Sequence, residues 1–214
     1  MGLITFFLGV VTASLSGVLM PGPVTATTIL MGARNRWAGA LIAVGHGVVE
    51  FPLMVVIVLG MKTILASETI KMVISLVGGV FLLAMAAQIL RSLGTLEQRR
   101  ASVSRGAPIV AGIALTAGNP YFLVWWATIG LGLATRAGEL GMWAFVLFAV
   151  VHWLCDLVWL GALSWASFKG STLLGERSLK VALGICSAAL VVFGLMFIYG
   201  GGNKLVGLIR AGNS

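Results

Sequence analysis

The hydrophobic pattern divides the chain into six long apolar segments, each bounded by charged residues. A helix needs about 20 apolar residues to cross the hydrocarbon core of a bilayer, and each segment supplies that length. The pattern therefore predicts an all-α membrane protein with six transmembrane helices. The segments are Met1–Ala33 and the stretches between Arg36 and Lys62, Lys71 and Arg91, Arg105 and Arg136, Glu139 and Lys169, and Lys180 and Lys204.

The composition agrees with this pattern. The 214 residues are 59% hydrophobic and only 9% charged, whereas a soluble domain carries about 25% charged residues. The length suits one integral membrane domain. The first basic residue is Arg34, so we expect residues 1–30 to stay in the membrane as a span and not to be removed as a signal peptide.

The distribution of basic residues predicts the orientation. With six spans, the terminal side of the membrane carries five basic residues and the opposite side carries nine. The more basic side is usually cytoplasmic. We therefore expect a multi-pass protein of the plasma (cytoplasmic) membrane with both termini outside. The net charge of +8 then reflects cytoplasmic loops, including a basic linker over residues 96–106, and not nucleic-acid binding.

Two spans contain residues that should break a helix. The first span reads LMPGPVT (19–25), and the fourth reads TAGNPYF (116–122). Proline lacks the N–H donor of a helix, and the freed backbone groups are tolerated in a membrane only where they line a protein cavity. The exposed N-termini of half-helices also suit a carboxylate. We expect substrate-binding residues at these breaks: Pro21, Gly22, Pro23, Thr25, Gly118, Asn119 and Pro120.

Two acids lie near the middle of their spans, and each has a histidine four residues before it. The second span contains His46 and Glu50, and the fifth contains His152 and Asp156. Residues four apart share one face of a helix, so each histidine can hydrogen-bond the acid of its own span. Ionisable residues inside a membrane are costly and usually functional. We expect these four residues to couple transport to protons, while the same four could instead bind a divalent metal ion.

These features repeat between the two halves of the chain. The histidines and the acids both recur after 106 residues, and a proline-containing break recurs in the first span of each half. Each half, residues 1–95 and 107–214, holds three spans, so the second half must enter the membrane from the opposite side. Inverted repeats with interrupted helices are typical of secondary transporters that work by alternating access.

Other functions remain open at this point. The protein could be a metal-ion exporter with the four His and acid residues as ligands. It could be an intramembrane enzyme in which paired carboxylates activate water. It could also be a passive channel, which would need no coupling ion. A transporter explains the repeat best, so we expect no enzymatic activity and no cofactor. Trp125 and Trp126 could line the cavity, but we expect them to pack against other helices or to face lipid.

The motifs also resemble those of a known family. PGPVT followed by GARNRWAGALIAVGHGVVE, then GIALTAGNPYF and DLVWL, is similar in order and context to the LysE-type (LysE/RhtB) exporters, which include homoserine and threonine exporters. The resemblance implies export of an amino acid or related metabolite, driven by proton antiport, by a possible homodimer. It implicates Pro21, Gly22, Pro23, Glu50, Asn119, Pro120 and Asp156.

The sequence departs from that family in its chemistry. The family's Gly-Asp of the second span is Val49-Glu50 here, and its lysine after Asn-Pro is Tyr121. His46 and His152 are not part of the family pattern. The wider superfamily contains exporters of cadmium, manganese and nickel, so the substrate stays open between an amino acid and a metal ion.

Overall fold

The computed structural model describes residues 2–57, 59, 67–92, 107–173 and 175–212, and these residues form helices without a strand. The predicted linker over residues 96–106 lies outside the described residues. The helices are α1 (Leu3–Val18), α2 (Pro23–Gly32), α3 (Ala38–Val56), α4 (Glu68–Ser92), α5 (Pro108–Ala117), α6 (Pro120–Trp125), α7 (Leu131–Glu139), α8 (Met142–Leu173) and α9 (Gly175–Gly212), with a π-helical turn at Trp126–Gly130 between α6 and α7.

Both predicted breaks are present. Helix α1 ends at Val18, α2 begins at Pro23, and their axes differ by 76°. Helix α5 ends at Ala117, and the chain from Tyr121 to Glu139 continues at 59° to it. Proline has no N–H to continue the preceding helix but suits the first turn of the next one, so Pro23 and Pro120 begin new helices immediately after each interruption.

The helices account for the six predicted spans. Four of them are long and apolar enough to cross a membrane: α3, Glu68–Arg91 in α4, Met142–Gly170 in α8 and Lys180–Gly207 in α9. Counting α1 with α2, and α5 with the segment through α7, as one bent span each gives six. The outer surface carries large apolar side chains, such as Val158 and Ile185, which suits contact with lipid.

The two halves of the chain pack against each other throughout. Helix α1 packs on α8, and α5 packs on α3. Helix α2 contacts α9, and α6 contacts α4. The other pairs between the halves, among the described helices, are α3 with α8, α4 with α9, and α2 with both α8 and α5. The breaks at residues 19–22 and 118–119 are therefore brought next to α3 and α8, which carry the four His and acid residues.

Glycines allow a very close approach where α3 crosses α5. A Cβ atom on Gly45 would lie 2.0 Å from the carbonyl oxygen of Ile109, and one on Gly112 would lie 2.2 Å from that of Ile42. The obstructing atoms belong to the backbone, so they cannot move aside as a flexible side chain would. This crossing fixes how deeply His46, on α3, lies against α5.

We expect Gly45→Ala to destabilise the protein because the added methyl group forces α3 and α5 apart. Overpacking of this kind costs about 1–3 kcal/mol, which should lower the midpoint of thermal unfolding in detergent by several degrees. Gly161→Ala on α8 is the matched control, since a Cβ atom there meets nothing within 4 Å. Equal melting temperatures for the two variants would contradict this account of the crossing.

Candidate functional site

A cavity of about 80 Å³ lies where both breaks meet α3 and α8. By volume it is large enough for several water molecules or one small solute. Most of the predicted site residues line it together: Pro21, Gly22, Pro23, Thr25, His46, Glu50, Asn119, His152 and Asp156. Gly118 does not belong to its lining and is exposed. Pro120 begins α6.

A single carboxylate oxygen forms the centre of the site. Oε1 of Glu50 lies 3.1 Å from Nε2 of His46 and 3.0 Å from Nε2 of His152. The indole N–H of Trp126 donates to the same oxygen over 3.3 Å. Glu50 has no exposed surface, and both histidines are buried. One acid of the first half is thus held by a histidine from each half.

Each histidine is fixed at its other nitrogen by a hydroxyl group from the opposite half. Nδ1 of His46 lies 2.9 Å from Oγ1 of Thr116 on α5, and Nδ1 of His152 lies 2.7 Å from Oγ of Ser14 on α1. Ser14 and Thr116 are both buried. A hydrogen bond at one ring nitrogen orients the imidazole and sets the role of the other nitrogen. Both rings are therefore oriented toward Glu50.

The predicted pairing within the fifth span was wrong. We expected His152 to hydrogen-bond Asp156, but its Nε2 bonds Glu50 instead, and Oδ1 of Asp156 lies 3.8 Å from Nε2 of His46. Shared helical faces brought the four side chains together. The packing of α3 against α8 then determines the hydrogen-bond partner of His152, because Glu50 on the facing helix offers a closer acceptor than Asp156 on the same helix.

The donors and acceptors of the cluster determine what it can bind. Each imidazole–Oε1 contact needs one proton, carried either by nitrogen or by the carboxyl group. Oε2 of Glu50 and Oδ2 of Asp156 are buried without a hydrogen-bond partner. Lysine and arginine are absent from the described lining of the cavity. The site therefore offers acceptors for protons or for a cationic group, with the histidines as its titratable donors.

The same residues satisfy a minimal requirement for a metal ion. One ligand atom from each of His46, Glu50 and Asp156 lies within 4.8 Å of the other two. Imidazole and carboxylate together suit several divalent transition metals. This cluster could hold such an ion as cargo.

Aromatic side chains complete the walls, and the packing role expected for Trp125 and Trp126 is confirmed, since both belong to a buried hydrophobic cluster. Both line the cavity; Trp125 stacks on His152 with ring centres 5.0 Å apart, and Trp126 meets the same ring edge-on at 5.4 Å. A Cβ atom on Gly130 would lie 2.5 Å from the Trp126 ring, so the glycine-ended π turn makes room for this indole. The position directly after the second break was the signal in the sequence for a cavity role.

We expect Ser14→Ala to destabilise the protein because it leaves Nδ1 of His152 buried without a partner. The cost should be about 1–3 kcal/mol, measured as a lower midpoint of thermal unfolding. Thr12→Ala is the control on the same helix, since the Thr12 hydroxyl is exposed and bonds only carbonyls of its own helix. It should change stability by less than about 0.5 kcal/mol. Indistinguishable variants would show that the Ser14–His152 contact contributes nothing.

Comparisons with known proteins agree with a transport role. The chain is 26% identical over 208 residues to a protein of Bacillus subtilis (strain 168) named "Putative amino acid efflux protein YcgF", and the match covers 94% of this chain and 99% of that protein. No solved structure matches the chain. The family model of the LysE type translocators matches residues 15–201, which include both breaks and all four His and acid residues. The chain belongs to the LysE type translocator family.

Proposed function

We propose that the protein is a secondary active exporter of an amino acid or a related small metabolite, driven by proton antiport through alternating access. The observation that carries the proposal is the cavity between two broken spans, which encloses a carboxylate held by two histidines. The relative named as an amino acid efflux protein supports the substrate class.

The packing between the halves supports an inverted repeat, the basis of alternating access. The contact of α1 with α8 has its counterpart in that of α5 with α3, and the contact of α2 with α9 in that of α6 with α4. The hydrogen bonds show the same correspondence between the halves, since Ser14 on α1 bonds His152 on α8 and Thr116 on α5 bonds His46 on α3. A pseudo-two-fold axis in the membrane plane would relate these pairs, and rocking one half against the other would open the cavity to each side in turn.

The position of Glu50 supports proton coupling. Its Oε1 faces two imidazoles, so a proton entering the cavity can rest on nitrogen or on oxygen without leaving the cluster. Protons and the ammonium group of a substrate compete for the acceptor atoms of this cluster. Protons that enter from one side would therefore release the substrate on that side. The inward proton gradient across the plasma membrane would then drive substrate out of the cytoplasm, and we propose that both termini lie outside.

We expect purified protein in liposomes to release at least one of the twenty protein amino acids faster when an inward proton gradient is imposed. A protonophore should abolish the acceleration. In Glu50→Gln the gradient should no longer accelerate release beyond that of protein-free liposomes, because the coupling carboxylate is gone. Glu68→Gln is the matched control, since Glu68 is exposed and contacts Lys71 and Lys204 at the ends of α4 and α9.

Two results would contradict the proposal. If the rate of release does not depend on the proton gradient for any amino acid tested, proton antiport is contradicted. Gradient-driven release of Mn²⁺ or Zn²⁺ from loaded liposomes, with none of any amino acid, would instead establish the second candidate, a divalent metal-ion exporter. The observation that favours this candidate is the group of His46, Glu50 and Asp156, with ligand atoms within 4.8 Å of one another.

A further inference from the structure

We infer that the cavity binds a small zwitterionic amino acid in one fixed orientation, with its ammonium group on Asp156 and its carboxylate at the N-terminus of α2. The inference rests on the proposed function and deepens it. The sequence repeat makes the two acids equivalent and the two helix breaks equivalent. We assign a different role to each member of these two pairs. Hydrogen-bond partners and exposure separate the members of each pair.

The two acids differ in how many partners they already have. Oε1 of Glu50 is engaged by His46, His152 and Trp126, and the residue has no exposed surface. Asp156 is 8% exposed, and its nearest charged partner is His46 at 3.8 Å, beyond hydrogen-bond distance. Oε2 of Glu50 and Oδ2 of Asp156 are both buried without a partner, but of the two residues Asp156 is the one that keeps exposed surface.

An ammonium group has three N–H donors and no acceptor, so it needs oxygens that are not already paired. Asp156 lines the cavity and offers such an oxygen. A charged hydrogen bond to a buried carboxylate is among the stronger polar contacts in proteins. Asp156 is therefore the ammonium-binding residue, whereas Glu50, the proposed proton-coupling residue, holds the two imidazoles around the cavity.

The two helix breaks differ in the same way. At the start of α6, Oδ1 of Asn119 accepts the backbone N–H of Tyr121 over 3.1 Å, so this N-terminus supplies its own cap. At the start of α2, Gly22 has no side chain, and no side chain caps the helix. The Thr25 hydroxyl is directed away from this role, because it bonds the carbonyl of Met20.

The N-terminus of α2 thus keeps backbone N–H groups for a ligand. The first N–H groups of a helix have no acceptor within it, and together they favour an anion. Gly22 also leaves room, since a Cβ atom there would meet only the Met20 carbonyl oxygen at 3.9 Å. This end of α2 and the unpaired oxygen of Asp156 belong to one cavity, so a single zwitterion can use both.

The remaining walls select the side chain of the substrate. They are apolar where the two ends of the zwitterion are not bound, with Leu82, Leu160 and Leu190 among them. The described lining has no lysine or arginine for a second carboxylate, and the cavity of about 80 Å³ has little space beyond a small solute. We expect alanine, serine and valine to bind, and aspartate and glutamate to be rejected.

The experiment measures binding to the full-length protein in detergent by isothermal titration calorimetry. The probes are L-alanine, L-serine and L-valine, together with L-alaninamide, which lacks the carboxylate, and L-lactate, which lacks the ammonium group. We expect both analogues to bind at least about tenfold more weakly than L-alanine, since each loses a charge-assisted contact. L-aspartate and L-glutamate should likewise bind at least about tenfold more weakly.

Two pairs of variants test the assigned positions. Asp156→Asn should weaken L-alanine binding by at least about tenfold, and by more than Glu50→Gln does. Gly22→Asp should place a carboxylate on the N-terminus of α2 and compete with that of the substrate, so it should weaken L-alanine binding more than Gly22→Ala. The extended backbone of Gly22, with φ of −147°, accepts both side chains. Thermal unfolding of each variant establishes that it is folded.

Several results would overturn the inference. These are equal binding of L-alanine and either analogue, a larger loss in Glu50→Gln than in Asp156→Asn, equal binding by both Gly22 variants, or binding of L-glutamate as tight as that of L-alanine. If wild type binds none of the three small amino acids, the inference fails as well. Proton-driven release of another amino acid from liposomes would then leave the exporter itself standing, so the two failures are distinguishable. Should a variant not fold, the analogue series on wild type still decides.

Discussion

The structure depends on the burial of one carboxylate, that of Glu50. An ionised side chain at the centre of a membrane helix costs about 2.5–3.5 kcal/mol on insertion scales, and Glu50 has no exposed surface at all. His46, His152 and Trp126 offset this cost by directing three nitrogen atoms at Oε1. Two of these three side chains come from the second half of the chain. The hydrogen bonds that stabilise the buried acid therefore also hold the two halves together.

The breaks and the glycines serve this interaction. Helices interrupted at residues 19–22 and 118–119 stop α1 and α5 where their hydroxyl groups, on Ser14 and Thr116, can reach the histidines. Gly45 and Gly112 let α3 and α5 approach until backbone touches backbone. Met20, Pro21, Gly22 and Asn119 of the interrupted backbone border the cavity, which is the condition under which a membrane protein tolerates such a break.

The sequence predicted much of this arrangement because its signals are local. Proline fixes where a helix must stop, and a spacing of four residues fixes which side chains share a helical face. The partners across the helices could not be predicted, because they depend on how α3, α5 and α8 cross. The sequence therefore paired His152 with Asp156, although Glu50 on the facing helix is its partner.

Three contributors to the site escaped prediction for related reasons. Ser14 and Thr116 look like many hydroxyl residues in apolar helices, and nothing in the neighbouring residues shows that they face an imidazole. Trp126 reaches Glu50 from the first residue of a π-helical turn, and such a turn shifts the helical register in a way that periodicity does not reveal. The sequence repeat also concealed the asymmetry between a capped α6 and an uncapped α2.

The most direct test of the shared carboxylate uses the fact that the chain has two histidines, His46 and His152. Labelling histidine with ¹⁵N gives ring signals from these two residues alone, one in each half. We predict that Glu50→Gln shifts the Nε2 signals of both histidines, whereas Glu68→Gln shifts neither. If Glu50→Gln shifts the signal of His46 alone, Glu50 hydrogen-bonds only the histidine of its own helix. The two halves are then not joined around one carboxylate, and the account is contradicted.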